Sequence, residues 1–163
     1  MFWKARFHKI TIADCIDMFL RCAKDYEAQQ NRSLTQPQFE IAIRELEKKY
    51  AVGIDRSVGA AISYNASLDE VFQVAHVGFD VRDPNRGWME LTTDTYQGHS
   101  LRTVIDLGRI SVKKAARIQI GQAVRVKGDC CICMFQFDID WSSVRKHAFS
   151  NIQPKNKFSW SFV

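Results

Sequence analysis

The sequence predicts an α+β fold in which an N-terminal pair of short helices packs on an antiparallel β-meander of about five to six strands. Three observations carry that reading. Apolar residues recur at helical spacing over 11–27 and again over 36–50. From Glu70 onward the apolar period changes to two, so the sheet is expected over 70–163. Between 116 and 141 two alternating runs flank Gly128-Asp129, the composition of a two-residue turn, and predict a long hairpin. Helices first and strands afterwards favour a layer of helix on one face of a sheet.

In the first helix Thr11 is placed to cap the opening turn, with Asp14 three residues on. Ile12, Cys15, Ile16, Phe19, Cys22, Ala23 and Tyr26 make one apolar stripe, so Cys15 and Cys22 are expected as small core residues. In the second helix Thr35 and Gln38 have capping-box spacing, Pro37 falls in the tolerant first turn, and Gly53 is a suitable terminator. Phe39, Ala42, Ile43, Leu46 and Tyr50 form its stripe. A helix-turn-helix DNA reader is the sharper alternative. The Gln29–Ser33 connector is long for that motif, and Glu40, Glu45 and Glu47 suit a phosphate groove badly.

The strand reading begins at Met1–Ile10, where Trp3, Ala5 and Phe7 alternate with Lys4, Arg6 and His8. Ile54–Leu68 is small and polar with no evident period and reads as a loop, with at most a short strand near Ala60–Tyr64. A strand over Glu70–Arg82 then leads through Asp83-Pro84-Asn85-Arg86-Gly87, a turn signal, into a strand over Trp88–Thr95. Tyr96–His99 turns into Leu101–Leu107. Ser111–Ala115 reads either as one helical turn or as a bulged entry to the hairpin. Phe158, Trp160 and Phe162 alternate with serines as a last strand.

Within the expected hairpin, Val126 faces Cys131, Val124 faces Cys133, Ile120 faces Phe137 and Ile118 faces Ile139. Both apolar sets then share one face, while Gln119 meets Asp138 and Arg117 meets Asp140 on the other. In that register Cys131 and Cys133 are core thiols, Cys130 points away, and Ile132 and Met134 lie on the outer face.

Composition bounds the function classes. With 163 residues, 46% hydrophobic and 25% charged, the chain has the make-up of one ordinary globular domain spanning 1–163. No run approaches the roughly 18 apolar residues of a membrane span, and the N-terminus lacks the apolar core of a secretory signal. No membrane association and a cytoplasmic location are expected. Five cysteines, an odd number, then favour reduced thiols. The formal charge is +5, unevenly spread: 12 Lys+Arg against 14 Asp+Glu over 1–100 (−2), and 11 against 4 over 101–163 (+7). A basic C-terminal half on a slightly acidic N-terminal one points to an acidic partner.

Three functional readings follow. The leading one is a non-enzymatic binding domain contacting nucleic acid, or failing that an acidic protein, through Lys113, Lys114, Arg117, Arg125, Lys127, Arg145 and Lys146. Phe149, Phe158 and Trp160 among those cations could stack on unpaired bases, although the 158–162 alternation also suits a core strand. The second is a small protein-binding inhibitor, immunity or adaptor protein acting through its sheet, with Ile132 and Met134 as an apolar patch. The third is an enzyme, a nuclease or transferase, centred on Asp94, His99 and Arg102, where Tyr96 and Ser100 add further reactive types. A polar β-turn explains the same letters, no phosphate-loop, nucleophile-elbow or metalloprotease motif is present, and no catalytic residue, metal or cofactor is expected.

Overall fold

Thr11 opens the first helix as its sequence position implies, its hydroxyl accepting from the Asp14 N–H at 3.1 Å. The computed structural model in which this is seen describes residues 8–55, 60–136 and 158–163. Helix α1 (Ile12–Gln30) runs three residues past Glu27, because Ala28, Gln29 and Gln30 are all good helix formers. Helix α2 (Gln36–Tyr50) begins with the complete Thr35/Gln38 capping box. It ends not at Gly53 but at Ala51, which takes the left-handed conformation (φ 54°). Tyr26 and Phe39 meet edge to face at 6.1 Å between the two helices. Asp25 accepts from Tyr50 (2.5 Å) and Lys49 (3.1 Å), which holds its carboxyl below the usual carboxylate range.

Among the described residues seven strands form one sheet: β1 (His8–Lys9), β2 (Gly53–Asp55), β3 (Ala60–Phe79), β4 (Arg86–Thr92), β5 (Arg102–Arg109), β6 (Ala123–Gln136) and β7 (Phe158–Phe162). All pairings are antiparallel except that of the two-residue β1, which runs parallel to β3. A one-turn helix, α3 (Val112–Ala115), joins β5 to β6. The α+β architecture is as the residue pattern predicts. Residues 1–7 of the expected first strand lie outside the described residues.

Two expectations are corrected, and they are linked. Residues 60–69 are the first half of a long strand rather than a loop, and Gly128-Asp129 is the middle of a strand rather than a turn. Strand β6 runs straight through that dipeptide and pairs with β3 from Ala60↔Gln136 to Gln73↔Ala123; Gly128 faces Leu68 on β3 and Phe158 on β7. The turn expected at Gly128-Asp129 to close a hairpin over 116–141 is therefore replaced by continuous strand. Residues 116–122 form an irregular connection of turns and a bend, and Phe137, Asp138, Ile139, Asp140 and Trp141 lie outside the described residues.

The physical reason lies in what each register buries. In a straight strand the even positions Val124, Val126, Cys130, Ile132 and Met134 all reach the core. They meet the even positions Ile62, Tyr64, Ala66, Leu68 and Phe72 of β3 on the same face. A hairpin closing on itself would leave that face of β3 without its neighbour. Ile132 (0% exposed) and Met134 (3%) are therefore core residues and not a protein-binding patch. Among the cysteines the parity is also reversed: Cys130 is buried, and Cys131 and Cys133 are half-buried on the outer face.

A bulge between Val74 and His76 shifts the inward parity of β3 from even to odd, so Val77 packs on the core and His76 turns outward beside Trp88. From Gln73 to Phe79, across the bulge, β3 pairs with β4; β4 pairs with β5, and β5 touches β6 at Arg102↔Cys133. The strands β3, β4, β5 and β6 thus form a closed circuit. Helix α1 supplies Cys15, Ile16, Met18, Phe19, Cys22 and Ala23 to the same core, with Phe19 edge to face on Tyr64 at 6.4 Å. Among the described residues no helix is long and apolar enough to cross a membrane.

Candidate functional site

The segment between β5 and β6 is where the basic residues stand clear of acidic ones. Its geometry starts at Asp106, which accepts from Arg86 through Nε (3.1 Å) and through a short contact from the second terminal nitrogen, and also from the Gly108 N–H at 2.8 Å. The Arg86 guanidinium holds the Asp106 carboxyl below the usual carboxylate range. Gly108 takes φ 67°, a conformation open to glycine, one residue before the ladder between β4 and β5 ends at Arg86↔Arg109. Ile110 then donates its N–H to Asn85 (3.0 Å) and lays its side chain over Gly87, where an added Cβ would come within 2.5 Å of it.

The chain next coils outward. Ser111 caps α3 by accepting from the Lys114 N–H (3.2 Å), and consecutive backbone bonds run from Ala115→Ser111 to Ile118→Ala115. Ala115 is buried and Ile118 packs on the core, so the inner side of this coil is fixed. Lys113 and Arg117, four apart, fall on the opposite side with Lys114 beside them, and all three are exposed. Arg109 is exposed too. Among the described residues these four cations make no ion pair. The sequence from 107 to 128 holds no Asp or Glu. Val112 and Ile120 are exposed aliphatics flanking them.

The other expected cations are placed differently. Arg125 is exposed on the outer face of β6, but its Nε donates to Asp69 at 2.9 Å, and that guanidinium lowers the carboxyl's pKa. Lys127 faces the same Asp69 across the ladder. Arg145, Lys146 and Phe149 lie outside the described residues. Trp160 is half-buried against the core and meets Phe162 edge to face at 5.4 Å.

Asp94, His99 and Arg102 have separate commitments. Asp94 accepts from Gln73 Nε2 at 3.0 Å. His99 is exposed in a tight turn bridged to Tyr96, whose central residues Gln97 and Gly98 take φ 50° and 79°. Arg102 donates to Glu90 at 2.5 Å. Glu90 is 1% exposed, and the sequence reading missed it; a carboxylate set between Met89 and Leu91 in an apolar strand was the available signal. Burial pushes the thiols of Cys15 and Cys130 up to about 12 and that of Cys22 up to about 11, and raises Cys131 and Cys133 as well. All five stay protonated at neutral pH, the poorly reactive form. Among the described residues no group of three or more His, Cys, Asp and Glu is arranged to hold a metal ion.

Compared with models of known protein families, with curated proteins and with solved structures, the chain matches none. Its function has to be argued from its own residues.

Proposed function

We propose that this chain is a non-enzymatic binding domain that holds a polyanion, nucleic acid ahead of an acidic protein, on the basic half of its sequence. Lys113, Lys114 and Arg117 are the centre of the surface, with Arg109 beside them. Arg125 and Lys127 are secondary contributors, and Arg145 and Lys146 join by sequence alone. The observation that carries the reading is a set of four exposed cations within residues 109–117, unpaired among the described residues, in a stretch without any carboxylate from 107 to 128. Carboxylates normally accompany surface cations, and a cluster that lacks them raises the local positive potential and attracts phosphate.

The test is fluorescence anisotropy of labelled nucleic acid with the full chain and with Lys113→Ala/Lys114→Ala, over a range of salt. The reading expects binding that falls steeply with salt and weakens in the double variant, whose circular dichroism matches the parent. Binding that is absent at low salt, or unchanged in the variant, would refute it.

A further inference from the structure

We infer that the polymer is a duplex nucleic acid, gripped through its backbone phosphates with no reading of the bases. This rests on the polyanion-binding reading and narrows it.

The cationic segment carries charge without aromatic side chains. Unpaired bases are held by stacking on aromatic faces, which supplies about 1–3 kcal/mol per base. From Gly108 to Met134 the sequence contains no Phe, Tyr or Trp. Trp160 on β7 has its ring packed on the core. Phe162 on the same strand is 40% exposed but sits opposite Val124, outside the cationic coil, so a single strand laid along 109–117 gains phosphate contacts and no stacking from that segment.

Base readout in a duplex needs an element that enters the major groove, which is about 12 Å wide and 8.5 Å deep. Helix α3 is four residues long, about 6 Å at 1.5 Å per residue. Its Ala115 is buried, and Ile118 just after it packs on the core. Arg117 and the two lysines rise from a turn seated on the core rather than from a projecting helix. Such cations reach the phosphate ridge and stop there. Gln122, which could otherwise seek an adenine edge, accepts from the Gln119 N–H at 3.2 Å.

A surface of cations without stacking gains most from the polymer with the densest charge. Duplex DNA presents one negative charge per roughly 1.7 Å of axis, and each neutralised phosphate adds about 0.9 to the salt slope, against about 0.7 for a single strand. Arg109, Lys113, Lys114 and Arg117 together then give a slope of log K against log salt near −3.6 (about four times 0.9) on duplex.

The experiment measures the full chain by anisotropy against four labelled probes: two DNA duplexes of unrelated sequence, an RNA duplex, and one of the DNA strands alone. The inference expects the two DNA duplexes to bind equally, both duplex types to bind more tightly than the single strand, and a slope near −3.6. Lys113→Ala/Lys114→Ala should bring that slope to about −1.8. Preference for the single strand, or for one duplex sequence over the other, overturns this inference while leaving the polyanion-binding reading standing. No binding to any probe at low salt overturns both.

Discussion

The turn around α3 and the outer face of β6 carry the same kind of side chain in different company. On β6, Arg125 stands across the ladder from residues of β3 and gives its guanidinium to Asp69. Around α3, Lys113, Lys114 and Arg117 project from a coil in a stretch, 107–128, that holds no Asp or Glu. The difference follows from topology. A strand in the middle of a sheet acquires cross-strand neighbours on both sides, and opposite charges are the favourable pairing there. A connecting turn has no cross-strand neighbours, and here its charges make no ion pair among the described residues. Counting basic residues treats the two regions alike, and their pairing separates them.

The largest expected effect tests whether β6 is the core strand that this contrast requires. Ile132→Ala should cost about 2–5 kcal/mol of stability by denaturant unfolding, the usual toll for emptying a packed site, because Ile132 is fully buried opposite Tyr64. A surface-like response would restore the hairpin register and place Ile132 outside. Arg102→Ala comes next: it removes a partner from Glu90, a carboxylate only 1% exposed, and should cost about 1–3 kcal/mol. If the variant is as stable as the parent, Glu90 is not held there as described.

The third prediction sharpens the contrast itself. Lys113→Ala/Lys114→Ala should lower the salt slope of polyanion binding by about 1.8, and Arg125→Ala by less than the roughly 0.9 of one free cation. Equal effects per charge would erase the distinction between the regions. The smallest effect concerns acid. The Asp106 carboxyl, which anchors the entry to α3, is lowered by Arg86 in the folded chain, so the unfolded chain binds its proton first. Its contribution is complete above the ordinary carboxylate pKa of about 3.9 and is lost as pH falls through the lowered value. Asp106→Asn should therefore flatten the pH dependence of stability below about pH 4. An unchanged profile would remove Arg86–Asp106 as the clasp.

Much of the fold was legible because local signals agreed with tertiary ones. Thr11, and Thr35 with Gln38, marked both helix starts, and the stripes ending at Tyr26 and Tyr50 named the faces that α1 and α2 bury. The course of β6 was not legible from its own residues. Cys130 to Phe135 is apolar at both parities, so alternation alone fits either a turn at Gly128-Asp129 or a strand running through it. The deciding alternation stood elsewhere, in Ile62, Tyr64, Ala66 and Leu68 against Ser63, Asn65, Ser67 and Asp69. The small and polar residues there have low strand propensity and concealed it. At the candidate site the cations were legible from sequence. Their partners were not, because Asp69 lies 56 positions from Arg125 and only the β3–β6 ladder brings them together.

The measurement that bears most directly on the central claim is the salt dependence of duplex binding by the parent chain and by Lys113→Ala/Lys114→Ala, side by side. The account predicts a parent slope near −3.6 that falls to about −1.8 in the variant. Two parallel lines of equal slope would mean that the turn around α3 is not where the polymer is held.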